Sequence, residues 1–186
     1  MRPERLIVGV VLAGLGASVV GAPAKPTFAI VPVVLNNLSP LPDTHADSAA
    51  LVTLTHEARL RMASCGFPLV ADSGGPPEAA GHAPDYLFRH PEIASQWGAA
   101  EHANWVLVSR FTRVSPYAAQ WEVQVVSVKD SQVVDTRVID LRGVSRDEGI
   151  SAHMATRGAA WVIDQALQVV AHADGDTTGG GRPCRA

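Results

Sequence analysis

Three β-rich runs follow one another within residues 104–141, and the connections between them are too short to do anything but reverse the chain. A parallel neighbour needs a crossover of about a dozen residues or more. Pro116-Tyr117-Ala118-Ala119 and Asp130-Ser131-Gln132 offer only a few. The runs therefore predict an antiparallel meander. The first, 104–115 (NWVLVSRFTRVS), reads as buried near its start, at Val106 and Val108, and as alternating later, around Phe111. In the second, 120–129, Trp121, Val123 and Val125 point one way and Glu122 and Gln124 the other, while Val126 and Val128 break the polarity. The third is 133–141.

The rest of the chain is built around this meander. Residues 27–35 (TFAIVPVVL) are a strand in which Pro32 demands an edge position or a bulge. Residues 36–47 read as a loop. In 48–65 the residues Leu51, Leu54, Ala58, Met62 and Cys65 recur at helical spacing, and Gly66 is a C-cap glycine. A short strand is expected at 67–71. Residues 73–91 are rich in Pro and Gly and predict a long functional or disordered loop. Ile93, Trp97 and Ala100 mark a short helix. After the meander, Ser145-Arg146-Asp147-Glu148 has the form of a capping box, and Ala155, Ala159, Val162, Ala166 and Val170 give the apolar face of a closing helix. The order β-α-β-α-β-β-β-α predicts an α/β (α+β) domain with one mixed sheet and helices largely on one face. That domain covers 25–172, and the Gly-rich stretch 173–186 is expected to be a disordered tail.

The first 24 residues have the layout of a secretory signal. Arg2 and Arg5 precede an uncharged apolar run over 6–22, which ends in small residues. Cleavage is expected after Ala22 or Ala24, with the second favoured because Pro23 would follow the first. The apolar run is shorter than the ~20 residues of a spanning helix and is diluted by Gly14, Gly16, Ser18 and Gly21, and no later segment is long enough to span. The expected compartment is the periplasm, where a complex could also hold the chain against the inner membrane. Of 15 basic and 18 acidic side chains, loss of the leader leaves 13 and 17, a net charge of −4. No Lys/Arg stripe remains, which argues against nucleic acid. An oxidising compartment allows a Cys65–Cys184 disulfide, and the alternative is a Cys65 buried as a small apolar residue.

The chain has no Gly-x-Ser-x-Gly elbow, no His-Glu-x-x-His and no phosphate-cradling loop. Asp135 and Asp140 lie five residues apart on a strand and so point to opposite faces. The seven histidines show no paired spacing. A copper or zinc site from His82, His90 and His102 is the metal alternative, and small-molecule binding near the same loop goes with it. The main reading is a non-catalytic protein with no cofactor. Trp97, Trp105, Trp121 and Trp161 are expected in the core. Tyr86, Phe88, Arg89 and His90 sit together in the Pro/Gly loop and are the expected partner-binding residues, since Tyr and Arg are enriched at interface hot spots. Tyr117 is a weaker contact candidate.

Several segments carry a resemblance. The stretch AAEHANWVLV at 99–108 resembles the Ala-x-x-Leu-Gly-Ala-Asp-Tyr-Val-Leu segment of an uncharacterised exported bacterial family whose members often accompany periplasmic quinoprotein (methanol or alcohol) dehydrogenases. Val114-Ser115, Asp140-Leu141-Arg142-Gly143 with Asp147-Glu148, and Cys65-Gly66-Phe67-Pro68-Leu69-Val70 resemble further segments of that family. Many members carry a cysteine pair before the first segment, and the loop here has none. The resemblance implies an accessory subunit whose partner is a quinoprotein dehydrogenase or its cytochrome subunit. The element order also resembles the N-terminal domain of TolB, and this fold-level analogy implies an envelope-assembly component as the alternative.

Overall fold

The computed structural model describes residues 25–71, 74–142 and 150–173 together with Cys184. The expected leader, the Ser145–Glu148 capping box and the rest of the tail lie outside the described residues.

One mixed sheet organises the chain. β3 (Trp105–Ser115), β4 (Ala118–Ser127) and β5 (Gln132–Arg142) form the antiparallel meander. On the other side of β3 run two short parallel strands, β1 (Phe28–Ile30) and β2 (Val34–Asn37). Phe28 pairs with Trp105, whereas Val34 pairs with Arg110, so three residues of the first segment face two of β3. Pro32 sits in that bulge, where a missing N–H costs no ladder bond. The Val33 N–H instead reaches Thr55 Oγ1 at 3.0 Å. The expected strand at 67–71 shrinks to one parallel bridge between Leu69 and Phe28. Pro68 has no N–H to give, and the ladder is limited to Phe28 N–H to Pro68 O and Val70 N–H to Phe28 O, each 2.9 Å.

The two long helices, α1 (His45–Ser64) and α4 (Ala152–Ala173), cover one face. Beneath them lie Phe28, Ile30, Leu107, Phe111, Trp121 and Val125. The stripe Ala155, Ala159, Val162, Ala166 and Val170 is buried throughout, as its spacing requires. α1 begins earlier than expected because Thr44 and Asp47 form a capping box, with the Thr44 N–H donating to Asp47 Oδ2 at 2.7 Å. Asp47 also accepts from Arg113 Nη1, and both side chains are buried. Arg61 grips Asp164 with two nitrogens at 2.9–3.1 Å and ties α1 to α4.

The short helices α2 (Tyr86–Arg89) and α3 (Pro91–Ala100) cover part of the opposite face, over Ala29, Val31, Val106, Val108 and Val126. Gly98 lets α3 approach this closely. A Cβ there would collide with Val106 Cγ2 and lie 2.9 Å from Val128 Cγ2. Trp97, Trp105 and Trp121 are buried, but Trp161 is 46% exposed and departs from the core expectation. It lies one step off the buried α4 stripe, on the flank toward β5.

Candidate functional site

Strand alternation makes the second face of the sheet two-part. Val106, Val108 and Val126 meet the short helices. Further along the strands the same face carries Arg110, Thr112, Glu122 and Gln124. Register places Arg110 opposite Glu122, and Arg110 Nη2 donates to Glu122 Oε2 at 2.7 Å. Thr112 Oγ1 donates to Glu122 Oε1 at 2.8 Å, and Asn36 Nδ2 donates to Thr112 Oγ1 at 3.3 Å. This network spans β2, β3 and β4 and forms a polar floor.

The expected Pro/Gly loop supplies the wall. It folds into one 3₁₀ turn, Pro77–Ala79, followed by α2. Leu87 is buried and anchors α2 to the sheet. Phe88 then lies under the Arg110 guanidinium, whose Cζ is 4.4 Å from the ring centroid. Tyr86 stacks between His82, at 4.1 Å, and His90, at 4.6 Å. Arg89 is exposed and bonds Asp85 at 3.0 Å. His90 Nδ1 is 2.9 Å from Glu92 Oε1. The Glu92 backbone N–H, and then the bond to His90, hold the Glu92 carboxyl below its ordinary pKa. A small cavity of about 130 Å³ lies between this wall and the strands, lined by Val31, Val34, His82, Tyr86, Leu87 and Val108 among others.

Two buried atoms on the floor lack a hydrogen-bond partner among the described residues, Arg110 Nε and Gln124 Oε1. They sit diagonally across β3 and β4, one a donor and the other an acceptor. An unsatisfied buried polar atom costs ~1–3 kcal/mol, so a pair held on one polar floor calls for an explanation.

Of the sequence-predicted contact residues, the structure brings Tyr86, Phe88, Arg89 and His90 onto this wall. It does not bring Tyr117 there. Tyr117 is 74% exposed in the β3–β4 turn, and the stretch of β3 from Arg110 to Ser115 separates it from Phe88 by roughly 17 Å of strand. The histidine trio is not assembled either. Tyr86 fills the space between His82 and His90, and His102 lies beyond the far end of α3, in a left-handed conformation with φ of 60°. Asp135 and Asp140 pair with Val125 and Gln120 and keep to opposite faces. Sequence reasoning missed Arg110 and Gln124, although the outward phase of Glu122 and Gln124 was the available signal.

Cys65, at the end of α1, is joined by a disulfide to Cys184, with Cα atoms 5.0 Å apart and the two residues 119 positions apart in the sequence. Asp164 lies beside them, and together they are the one cluster of metal-ligand type among the described residues. Both sulfurs are committed to the bridge and the carboxylate to Arg61, so the cluster reads as a structural staple.

Among the described residues, no helix is long and apolar enough to cross a membrane. No curated protein matches the chain. Among solved structures, TolB from Acinetobacter baumannii is similar at 14% identity and a TM-score of 0.50, over 81% of this chain and 29% of that one. The LpoB C-terminal domain from Salmonella enterica is 18% identical with a TM-score of 0.45, over 66% of this chain and 86% of that one. A PelC dodecamer from Paraburkholderia phytofirmans is 18% identical with a TM-score of 0.46, over 80% of this chain and 91% of that one. The TolB likeness concerns the fold. Residues 26–165 match the family DUF3280, described as "Protein of unknown function (DUF2380)", and the chain belongs to that family.

Proposed function

We propose that this chain is an exported envelope protein that works by holding another polypeptide against the Phe88–Arg110 floor, and that it catalyses no reaction. The observation that carries this reading is the unsatisfied donor–acceptor pair, Arg110 Nε and Gln124 Oε1, beside a half-buried aromatic wall. A peptide group supplies one acceptor and one donor, the complement of that pair. Swinging the Phe88 ring aside opens the floor, and the ring then offers its face to the incoming chain. Export is supported by the Cys65–Cys184 disulfide, a bond that persists in oxidising compartments.

The resemblance to quinoprotein-associated proteins makes a periplasmic alcohol dehydrogenase or its cytochrome subunit the first partner to test. The TolB-like fold makes an envelope-assembly component the second. The experiment replaces Phe88 with a photo-crosslinking phenylalanine analogue in the full chain, in its native envelope. The expected result is one discrete crosslinked protein, which is lost when Arg110→Ala is added. Mass spectrometry of the product separates dehydrogenase, cytochrome and assembly partners. Absence of any protein crosslink, at wild-type abundance and fold, would sink the reading.

A further inference from the structure

The outer edge of β5 is open. Among the described residues the sheet ends there, and no strand pairs with it beyond β4. Unpaired edges invite another strand, and natural proteins usually blunt them with charge or bulges. β5 has one bulge, where Val125 pairs with Asp135 and Val126 with Val133, leaving Val134 out of register. From Asp135 to Arg142 the strand pairs regularly with β4.

The residues beside the bulge read Val134-Asp135-Thr136-Arg137-Val138. Thr136 is a centre of pseudo-symmetry, with opposite charges flanking it and valines beyond. Val134 and Val138 are 38% and 47% exposed. We infer that β5 pairs antiparallel with the β5 of a second copy of this chain, about a two-fold axis through Thr136. That axis sets Asp135 opposite Arg137 of the second copy, Arg137 opposite its Asp135, and Val138 against its bulged Val134.

Of the registers centred from Val134 to Asp140, only this one sets opposite charges against each other, and a dyad through Leu141, which would set Asp140 against Arg142, carries the ladder past position 142 and beyond the described residues. A dyad through Asp135, Arg137 or Asp140 sets a charge against its own copy. A dyad through Val138 sets Arg137 against Ile139, and one through Ile139 sets Val138 against Asp140. A perpendicular two-fold must pass through a residue, because facing side chains share a sheet face. Within one copy Arg137 Nε already bonds Asp135 Oδ2 at 2.6 Å, so pairing two edges assembles four alternating charges.

The flank of α4 extends this surface. A cleft of about 490 Å³ separates it from β5, lined by Val138, Ile139, Met154, Arg157 and Trp161 among others. Trp161 therefore lies within a few residues of the dyad, and the second copy brings its own. Burial of two half-exposed tryptophans beside a five-residue ladder supplies apolar area that a short strand pairing lacks.

The test uses the mature, disulfide-intact chain and sedimentation across micromolar to millimolar concentrations. The wild type is expected to dimerise. Asp135→Arg alone and Arg137→Asp alone should each weaken the dimer by about 100-fold or more, because like charges then face each other twice. The double variant Asp135→Arg/Arg137→Asp restores both facing pairs and should restore dimerisation. Trp161→Ala should weaken the dimer with no change in the circular dichroism of the monomer. A wild type that stays monomeric at every concentration, or a dimer indifferent to the single reversals, overturns the assignment. So does a folded double variant that remains monomeric.

Discussion

The two faces of the sheet come from the same strands yet do different work. On the α1–α4 face, every inward position from Trp105 to Phe111 and from Ala119 to Val125 is apolar apart from Ser109, and long helices close over them. On the other face the apolar code runs for only half of each strand, at Val106, Val108 and Val126, and then gives way to Arg110, Thr112, Glu122 and Gln124. The first face stabilises the fold by burial. The second spends part of its area on a charged network and two unsatisfied atoms, where the first leaves Trp121 Nε1 alone without a partner among the described residues. Polar residues kept where apolar ones would pack are what the proposed docking surface on that second face rests on.

Substitutions in the two faces test this contrast. Trp121 is 1% exposed at the centre of the closed face, so Trp121→Ala should cost about 3–5 kcal/mol in denaturant unfolding. A smaller loss, on the order of 1–3 kcal/mol, is expected for Gly98→Ala, since Val106 and Val128 must give way to the new methyl group. Phe88→Ala, on the second face, should change stability by only about 1–2 kcal/mol, the scale of a half-buried cation–π contact with some lost packing. It should nevertheless abolish partner capture. If Phe88→Ala destabilises as much as Trp121→Ala, the division between the faces is wrong.

The smallest effect concerns Glu92, at the start of α3. Its folded pKa is lowered by its own backbone N–H and then by His90. A carboxyl with a depressed folded pKa adds stability above its unfolded pKa and loses it as pH falls through the folded value. Glu92→Gln should therefore slightly lower stability at neutral pH, leave strongly acid pH almost unchanged, and so flatten the acid limb of the stability curve. An NMR titration of Glu92 with an ordinary midpoint would remove the basis for this expectation.

Much of the fold could be read from residues alone. The connections at 116–119 and 130–132 dictated the meander, the Ala155-to-Val170 spacing dictated which side of α4 is buried, and Pro32 demanded an edge position or a bulge, of which the structure takes the bulge. These are local signals, set by chain reach and side-chain period. α1 starts earlier than its apolar spacing predicts because the Thr44–Asp47 box uses Asp where Glu is the commoner signal, and because Arg113, 66 positions away, is what buries that Asp. The cluster at Tyr86–His90 was legible as a group of binding-type residues, but its orientation was not.

By itself the sequence determined the strand order of the meander, the buried stripe of α4 and the grouping of Tyr86 to His90, since each depends on residues within a few turns of chain. Only the tertiary structure decided that Phe88 meets Arg110, that Cys65 meets Cys184, that Tyr117 stands apart, and that Trp161 is left half in solvent. Those outcomes depend on how far-separated elements pack, and that is set by the summed complementarity of many surfaces.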